Sequence, residues 1–142
     1  MREMSKEEYR RFLMETPRTG KLASVCEDGS PHVAPIWFDL DGEVIVFTTW
    51  HTTVKAHNLQ RDGRASLCVD DDKPPYAFVI IEGNAAFATP TPEEFLHSAT
   101  RIARRYMGDA LAESYGKRNA VEGELLVRLT PTKVIARRGI AD

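Results

Sequence analysis

Apolar and polar positions along the chain follow two rhythms. One repeats every three to four residues and the other every two. Ser5-Lys6-Glu7-Glu8 has the S-x-x-E form of a capping box, and Tyr9, Phe12 and Leu13 follow at helical spacing. The spacing predicts a helix to about Glu15, stopped by Pro17 and Gly20. Strand-like runs then follow over 22–26, 32–40 and 44–49. Glu27-Asp28-Gly29-Ser30 and Asp41-Gly42 supply the turns between them. The third run is continuously apolar, as a strand buried on both faces would be.

Residues 53–60 predict one or two helical turns, and 65–69 a fourth strand. The polar, proline-bearing stretch Asp70 to Pro75 reads as a loop. A long strand is expected over 76–88, with Gly83 marking a bend or bulge. Thr91-Pro92-Glu93-Glu94 opens a helix whose apolar face carries Phe95, Ala99, Ile102, Ala103 and Tyr106, and Gly108 ends it. A short helix over 109–115 and a last strand over 124–136, interrupted by Pro131, complete the order. Six short strands joined by hairpin turns predict a mainly β fold, an antiparallel barrel with flanking helices. Full crossover helices are lacking, which disfavours a doubly wound sheet.

The chain has 142 residues, 42% of them hydrophobic and 28% charged, as expected of one globular domain over 1–142. Residues 1–19 form an N-terminal helix and linker, 20–89 the core barrel, and 90–142 the later helices and final strand. Nineteen basic residues against twenty-one acidic ones leave a net charge of −2. That balance lacks the basic footprint of a nucleic-acid binder. No apolar run approaches the ~18–20 residues of a membrane span, and Met1–Lys6 lacks the apolar stretch of a signal peptide. Cys26 and Cys68 fall in no zinc pattern and suit a reducing, cytoplasmic home.

Candidate chemistry concentrates in Phe47 to Leu59. There an apolar strand runs into a hydroxyl-rich turn and a short helix begins. Free N–H groups at a helix start attract anions; Thr52 or Thr53 adds a hydroxyl, and Lys55 a full positive charge. The alternative is an ordinary cap at Thr53 and a solvated Lys55. Pro35 inside a strand implies an edge or bulge. Trp37 beside Phe38 sends one ring to the core and the other to a planar ligand, a partner or solvent. His32, His51, His57 and His97 match no metal motif, and no serine sits in a nucleophile elbow. Arg101, Arg104 and Arg105 form either a solvated helix face or an anion-recruiting rim.

An ordered series of short segments carries a family resemblance. It runs through Gly20-Lys21-Leu22-Ala23-Ser24-Val25, Asp28-Gly29-Ser30-Pro31-His32-Val33 and Pro35-Ile36-Trp37-Phe38. It continues through Asp41-Gly42, the Lys55 segment, the run from Asn58 to Leu67, and Glu82-Gly83. The series resembles the pyridoxamine-5′-phosphate-oxidase-like split β-barrel superfamily, and within it the flavin and deazaflavin oxidoreductases dependent on coenzyme F420. The resemblance implies a six-stranded antiparallel split barrel (FMN-binding split barrel). It also implies a homodimer with cofactor sites at the interface. Lys55 would bind the cofactor phosphate with help from Thr53. Thr48, Thr49 and Trp50 would line the ring and ribityl chain, Pro35, Ile36 and Trp37 would lie along the ring, and Tyr76 would reach over from the other subunit. No vitamin B6 substrate motif is found.

The function implied is hydride transfer from reduced F420 to a small planar organic acceptor, with His51 or Tyr76 as candidate proton donors and no metal. Arg104, Arg105, Lys117 and Arg118 are candidates to meet the anionic tail of the coenzyme. The alternatives are an FMN-dependent oxidoreductase, a non-catalytic flavin or F420 carrier, and a haem binder with a histidine facing the cleft.

Overall fold

A computed structural model describes all of residues 1–142. The elements run β1 (Arg2–Glu3), α1 (Lys6–Glu15), β2 (Gly20–Val25), β3 (Pro31–Ile36), β4 (Asp39–Asp41), β5 (Val44–Trp50) and α2 (Val54–Arg61). They continue with β6 (Arg64–Asp71), β7 (Ala77–Phe87), α3 (Pro92–Met107), α4 (Asp109–Asn119) and β8 (Glu124–Arg138). All pairings are antiparallel, in the order β3-β2-β6-β7-β8-β5-β4, with β1 beside β8. The fold is thus mainly β with flanking helices, as expected.

There are eight strands rather than six. One addition is β1, two residues that pair with Arg137 and Arg138. Such a strand has no period to read. The other comes from the predicted strand over 32–40, which divides at Trp37 and Phe38 into β3 and β4. These two lie at opposite edges of the sheet. No ladder joins them, so the sheet is not closed by hydrogen bonds; two residues of chain bridge its edges. Pro35 lies on edge strand β3, where a missing N–H removes no ladder bond.

Curling encloses one core. Phe38, Phe47, Leu22, Ile45, Leu67 and Ile81 are almost fully buried in it, with Phe12 and Leu13 of α1 and Leu59 of α2. The predicted capping box of α1 is formed: Ser5 Oγ accepts from Glu8 N–H at 3.2 Å, and Glu8 Oε1 accepts from Ser5 N–H at 3.2 Å. Glu8 also receives Arg2 at 2.8 Å, and that guanidinium, helped by the cap, holds its carboxyl down at about 2. In β5, Ile45, Val46 and Phe47 are all buried. Val46 faces outward, on the side where α3 lies against β5.

Pro131 does not interrupt the last strand. The β7–β8 register slips between Glu82 and Gly83, so Gly83 stands opposite Pro131 while Glu82 pairs with Lys133. The bulge absorbs the missing N–H of proline. Gly83 is required there because a Cβ would lie 2.2 Å from the Thr130 carbonyl oxygen.

Helix α2 is fastened to β2 by buried polar groups. Asn58 Nδ2 donates to Ser24 Oγ at 3.0 Å, with both side chains buried, and Arg61 donates to the Val25 carbonyl.

Two substitutions test these constraints. Gly83→Ala is expected to cost about 1–3 kcal/mol, because backbone must shift to admit the methyl group. Asn58→Ala is expected to cost about 1–3 kcal/mol by stranding Ser24. Urea unfolding midpoints check both; unchanged midpoints would contradict the packing described.

Candidate active site

The predicted anion-binding segment forms a corner at the end of β5. Thr53 caps α2, its Oγ1 accepting from Ala56 N–H at 3.2 Å. The same hydroxyl lies 2.9 Å from the Trp50 carbonyl and 2.7 Å from Thr49 Oγ1. With one proton to give, Thr53 is committed to the corner itself. The next two N–H groups, of Val54 and Lys55, have no partner in the protein. Thr52 is exposed beside them. Lys55 is half-buried and makes no ion pair, whereas Lys6 is taken by Glu43 and Lys21 by Asp70. A lysine with no ion pair beside two free N–H groups is an arrangement that an anion stabilises.

Three turns and strands build the walls. Trp50 is 41% exposed and Val54 is 49% exposed, an apolar rim around the cation. The 120–123 turn meets this rim, with Val121 exposed on it. Gly123 has a φ of +98°, and a Cβ on it would lie 2.5 Å from the Trp50 ring, so only glycine lets the two approach. His51 holds the turn by its backbone N–H at 2.9 Å and its ring Nδ1 at 3.0 Å, both to the Gly123 carbonyl. A carbonyl only accepts, so Nδ1 carries the proton and the neutral ring presents Nε2 as an acceptor. His51 therefore donates from Nε2 only as a cation.

Glu124 was not among the sequence candidates. It stands opposite Trp50 in the β5–β8 ladder and takes a hydrogen bond from Thr48 Oγ1 at 3.2 Å. Burial pushes its carboxyl up, while the Thr48 bond and the charges of Lys55 and Arg118 pull it down. One polar residue in a run of strand formers gives no local signal of this position.

The other predicted residues take varied places. The β4–β5 ladder ends at Asp39 and Val46, beyond which β3 turns away to β2. If continued, its register would bring Trp37 level with Thr48 and Pro35 level with Trp50, the two lips of the split. Pro35 is exposed on its lip, whereas Ile36 belongs to the core. Trp37 is stacked on Tyr106 of α3, with centroids 5.2 Å apart and planes 4° apart. Thr49 is buried under the corner. Tyr76 lies at the far end of the sheet, where its neighbour Ala77 pairs with Arg138. Glu124 and Arg138 are the two ends of β8, so Tyr76 stands ~45 Å along that strand from the corner.

The arginine rim is structural. Arg105 donates to the Phe38 carbonyl and, at 2.9 Å, to that of Leu13, while its plane lies over Phe38. Arg101 binds Asp39 at 2.8 Å and Arg104 binds Asp109 at 3.3 Å. Only Arg118, of the residues assigned to an anionic tail, is electrostatically coupled to the corner. The larger clefts lie elsewhere: about 690 Å³ between α1 and the β4–β5 turn, and about 630 Å³ beside the start of α3. The corner is an open shelf in one chain. No cluster of metal-ligating side chains exists, and no helix is long and apolar enough to cross a membrane.

Comparison with known proteins places this architecture. The conserved hypothetical protein Rv2991 of Mycobacterium tuberculosis superposes with a TM-score of 0.82 at 27% identity, covering 98% of this chain and 89% of its own. A structure described as an F420 reductase gives 0.68 at 26% identity, covering 87% of this chain and 94% of that one. A FAD-binding protein of Mesorhizobium loti shares the fold, with a TM-score of 0.68 at 19% identity over 95% of this chain and 93% of its own. No curated protein matches the chain. The sequence profile of pyridoxamine 5'-phosphate oxidase matches residues 5–138, nearly the whole chain. The chain belongs to the pyridoxamine 5'-phosphate oxidase family, whose split-barrel members include oxidoreductases and flavin binders.

Proposed function

We propose that the protein is a homodimeric oxidoreductase that binds coenzyme F420 at the Lys55 corner. The observation that carries this reading is the half-buried, unpaired Lys55 beside two free N–H groups. Lys55 and the Val54 and Lys55 N–H groups hold the cofactor phosphate. Trp50 and the Pro35–Trp37 lip flank its ring, and Thr48 faces its ribityl chain. The 26% identity to an F420 reductase over most of both chains supports F420 over FMN. When bound and reduced, the deazaflavin supplies a hydride to a small planar organic acceptor. The chain's own residues orient it, exclude water and leave its outer face open.

The dimer completes the shelf. Val33, at 66% exposure, heads an outward face that also carries Ala23, Val25, Phe78, Ile80 and Ile135. A half-buried apolar strip of this kind, set among Lys21, Asp70, Glu82 and Arg137, fits a second copy. A second copy also brings its Tyr76 toward a corner that the first chain's own Tyr76 is too distant to reach. A reducing, cytoplasmic setting accords with the two free cysteines, of which Cys68 has its thiol raised by burial.

Lys55→Ala is expected to weaken F420 binding roughly 10- to 100-fold, the worth of one charge-assisted contact. Its melting temperature should stay close to that of the wild type, since Lys55 makes no ion pair and acts on Glu124 through charge alone. Calorimetric titration with F420 and with FMN, side by side, checks both. Unaltered F420 affinity would sink the assignment, and preferential FMN binding would move the protein to the flavin-dependent branch. Sedimentation should give twice the chain mass; a monomer would remove the interface site.

A further inference from the structure

We propose that Glu124 determines cofactor specificity at the Lys55 corner, penalising a doubly charged phosphate monoester more than a singly charged phosphodiester. The inference rests on the phosphate-binding reading above. A carboxylate beside an anion site needs an explanation, because it repels the ligand that Lys55 attracts. Glu124 is fixed there: it opens β8 directly opposite Trp50, and Thr48 Oγ1 ties its Oε2 at 3.2 Å. Its side chain is half-buried, so solvent screens its charge only in part.

The groups around it come from three elements. Lys55 of α2 and Arg118 of α4 act on it with positive charge, and β5 contributes the uncharged Thr48. His51 has its ring turned to Gly123, and Glu122 is exposed two residues away. Without ligand, Glu124 offsets the two cations. A bound phosphate competes for those cations and adds repulsion.

Two consequences follow from Coulomb's law. First, the penalty scales with ligand charge. The ribityl phosphate of FMN is a monoester with nearly two negative charges at neutral pH, whereas the phosphate of F420 is a diester with one. At the phosphate itself, Glu124 thus disfavours the monoester about twice as strongly on a logarithmic scale. Second, a bound anion disfavours the ionised carboxylate. The Glu124 pKa is higher in the complex than in the free protein, so binding takes up a proton between those two values. Affinity rises as pH falls through the bound-state value and levels off below the free-state value.

The test compares wild type, Glu124→Gln and Lys55→Ala by titration calorimetry with F420 and FMN at pH 8, where both phosphates are fully ionised. Glu124→Gln keeps the shape and the Thr48 contact and removes the charge. It is expected to tighten F420 roughly threefold and FMN roughly tenfold. An unchanged FMN-to-F420 affinity ratio would overturn the inference.

A second measurement needs no variant. F420 binding to the wild type, repeated in buffers of different ionisation enthalpy across about pH 5 to 7, should show net proton uptake. Its absence would also overturn the inference, as would equal uptake by Glu124→Gln. Lys55→Ala separates the two levels. If it loses affinity while Glu124→Gln leaves the ratio unchanged, only the role of Glu124 fails. If it binds both cofactors as the wild type does, or if the wild type binds neither, the phosphate site itself is wrong.

Discussion

The structure depends on one geometric demand: the chain crosses from one edge of the sheet to the other within Trp37 and Phe38. A sheet whose edges are tied by two residues must curl, and that curl creates the interior. Phe38 fills it at zero exposure, while its neighbour Trp37 is thrown to the opposite side. The crossing also leaves backbone groups without strand partners. Helix α3 supplies them: Tyr106 accepts from Phe38 N–H at 3.3 Å, and Arg105 donates to the Phe38 carbonyl. The Tyr106 hydroxyl donates onward to Arg18 O at 2.8 Å. The last turn of α3 is thus a buttress for the split, which explains why Arg105 there is not part of a binding rim.

Parting β3 from β5 opens a slot, and α2 occupies it. A helix placed between diverging strands cannot rely on apolar contact alone, because the strand edges present polar backbone. Asn58 and Arg61 reach past the slot to β2, at the Ser24 hydroxyl and the Val25 carbonyl. The other end of α2 is fixed by Thr53, whose hydroxyl joins Thr49, Trp50 and Ala56. A helix fastened at both ends holds its first free N–H groups in place before any ligand arrives, so little ordering entropy is left to oppose binding.

Local signals made much of this legible. The capping box of Ser5 with Glu8 puts donor and acceptor within four residues, and it formed; the helix start read at Thr91 to Glu94 also formed, with a capping box of its own. Pro35 announced an edge and Gly83 a bulge through backbone chemistry alone. What stayed hidden was long-range. β1 exists only because β8 lies beside it, over a hundred residues away. The split at Trp37 was masked by an unbroken β pattern on both sides. Pro131 looked like a breaker because the glycine that accommodates it lies on another strand. In the corner, Lys55 and Thr53 were legible as a pair with two possible roles. The hydroxyl of Thr53 took the capping role, leaving the anion to Lys55 and the backbone. Glu124 was silent because its meaning comes from Trp50 and Thr48 across the ladder.

Charge bookkeeping over the whole chain conceals the feature that matters at the corner. A net charge of −2 comes from many matched pairs. Arg2, Arg18, Arg64, Arg101 and Arg128 each have a carboxylate within 4 Å, and Arg105 and Arg61 are spent on backbone carbonyls. Against that habit, a half-buried lysine with no ion pair is an exception. Glu124 feels its charge but is held by Thr48 rather than by Lys55. The fold therefore carries an unsatisfied cation where its strands part, and that unmet charge, more than the shape of any cleft, marks the corner as the place where a ligand completes the structure.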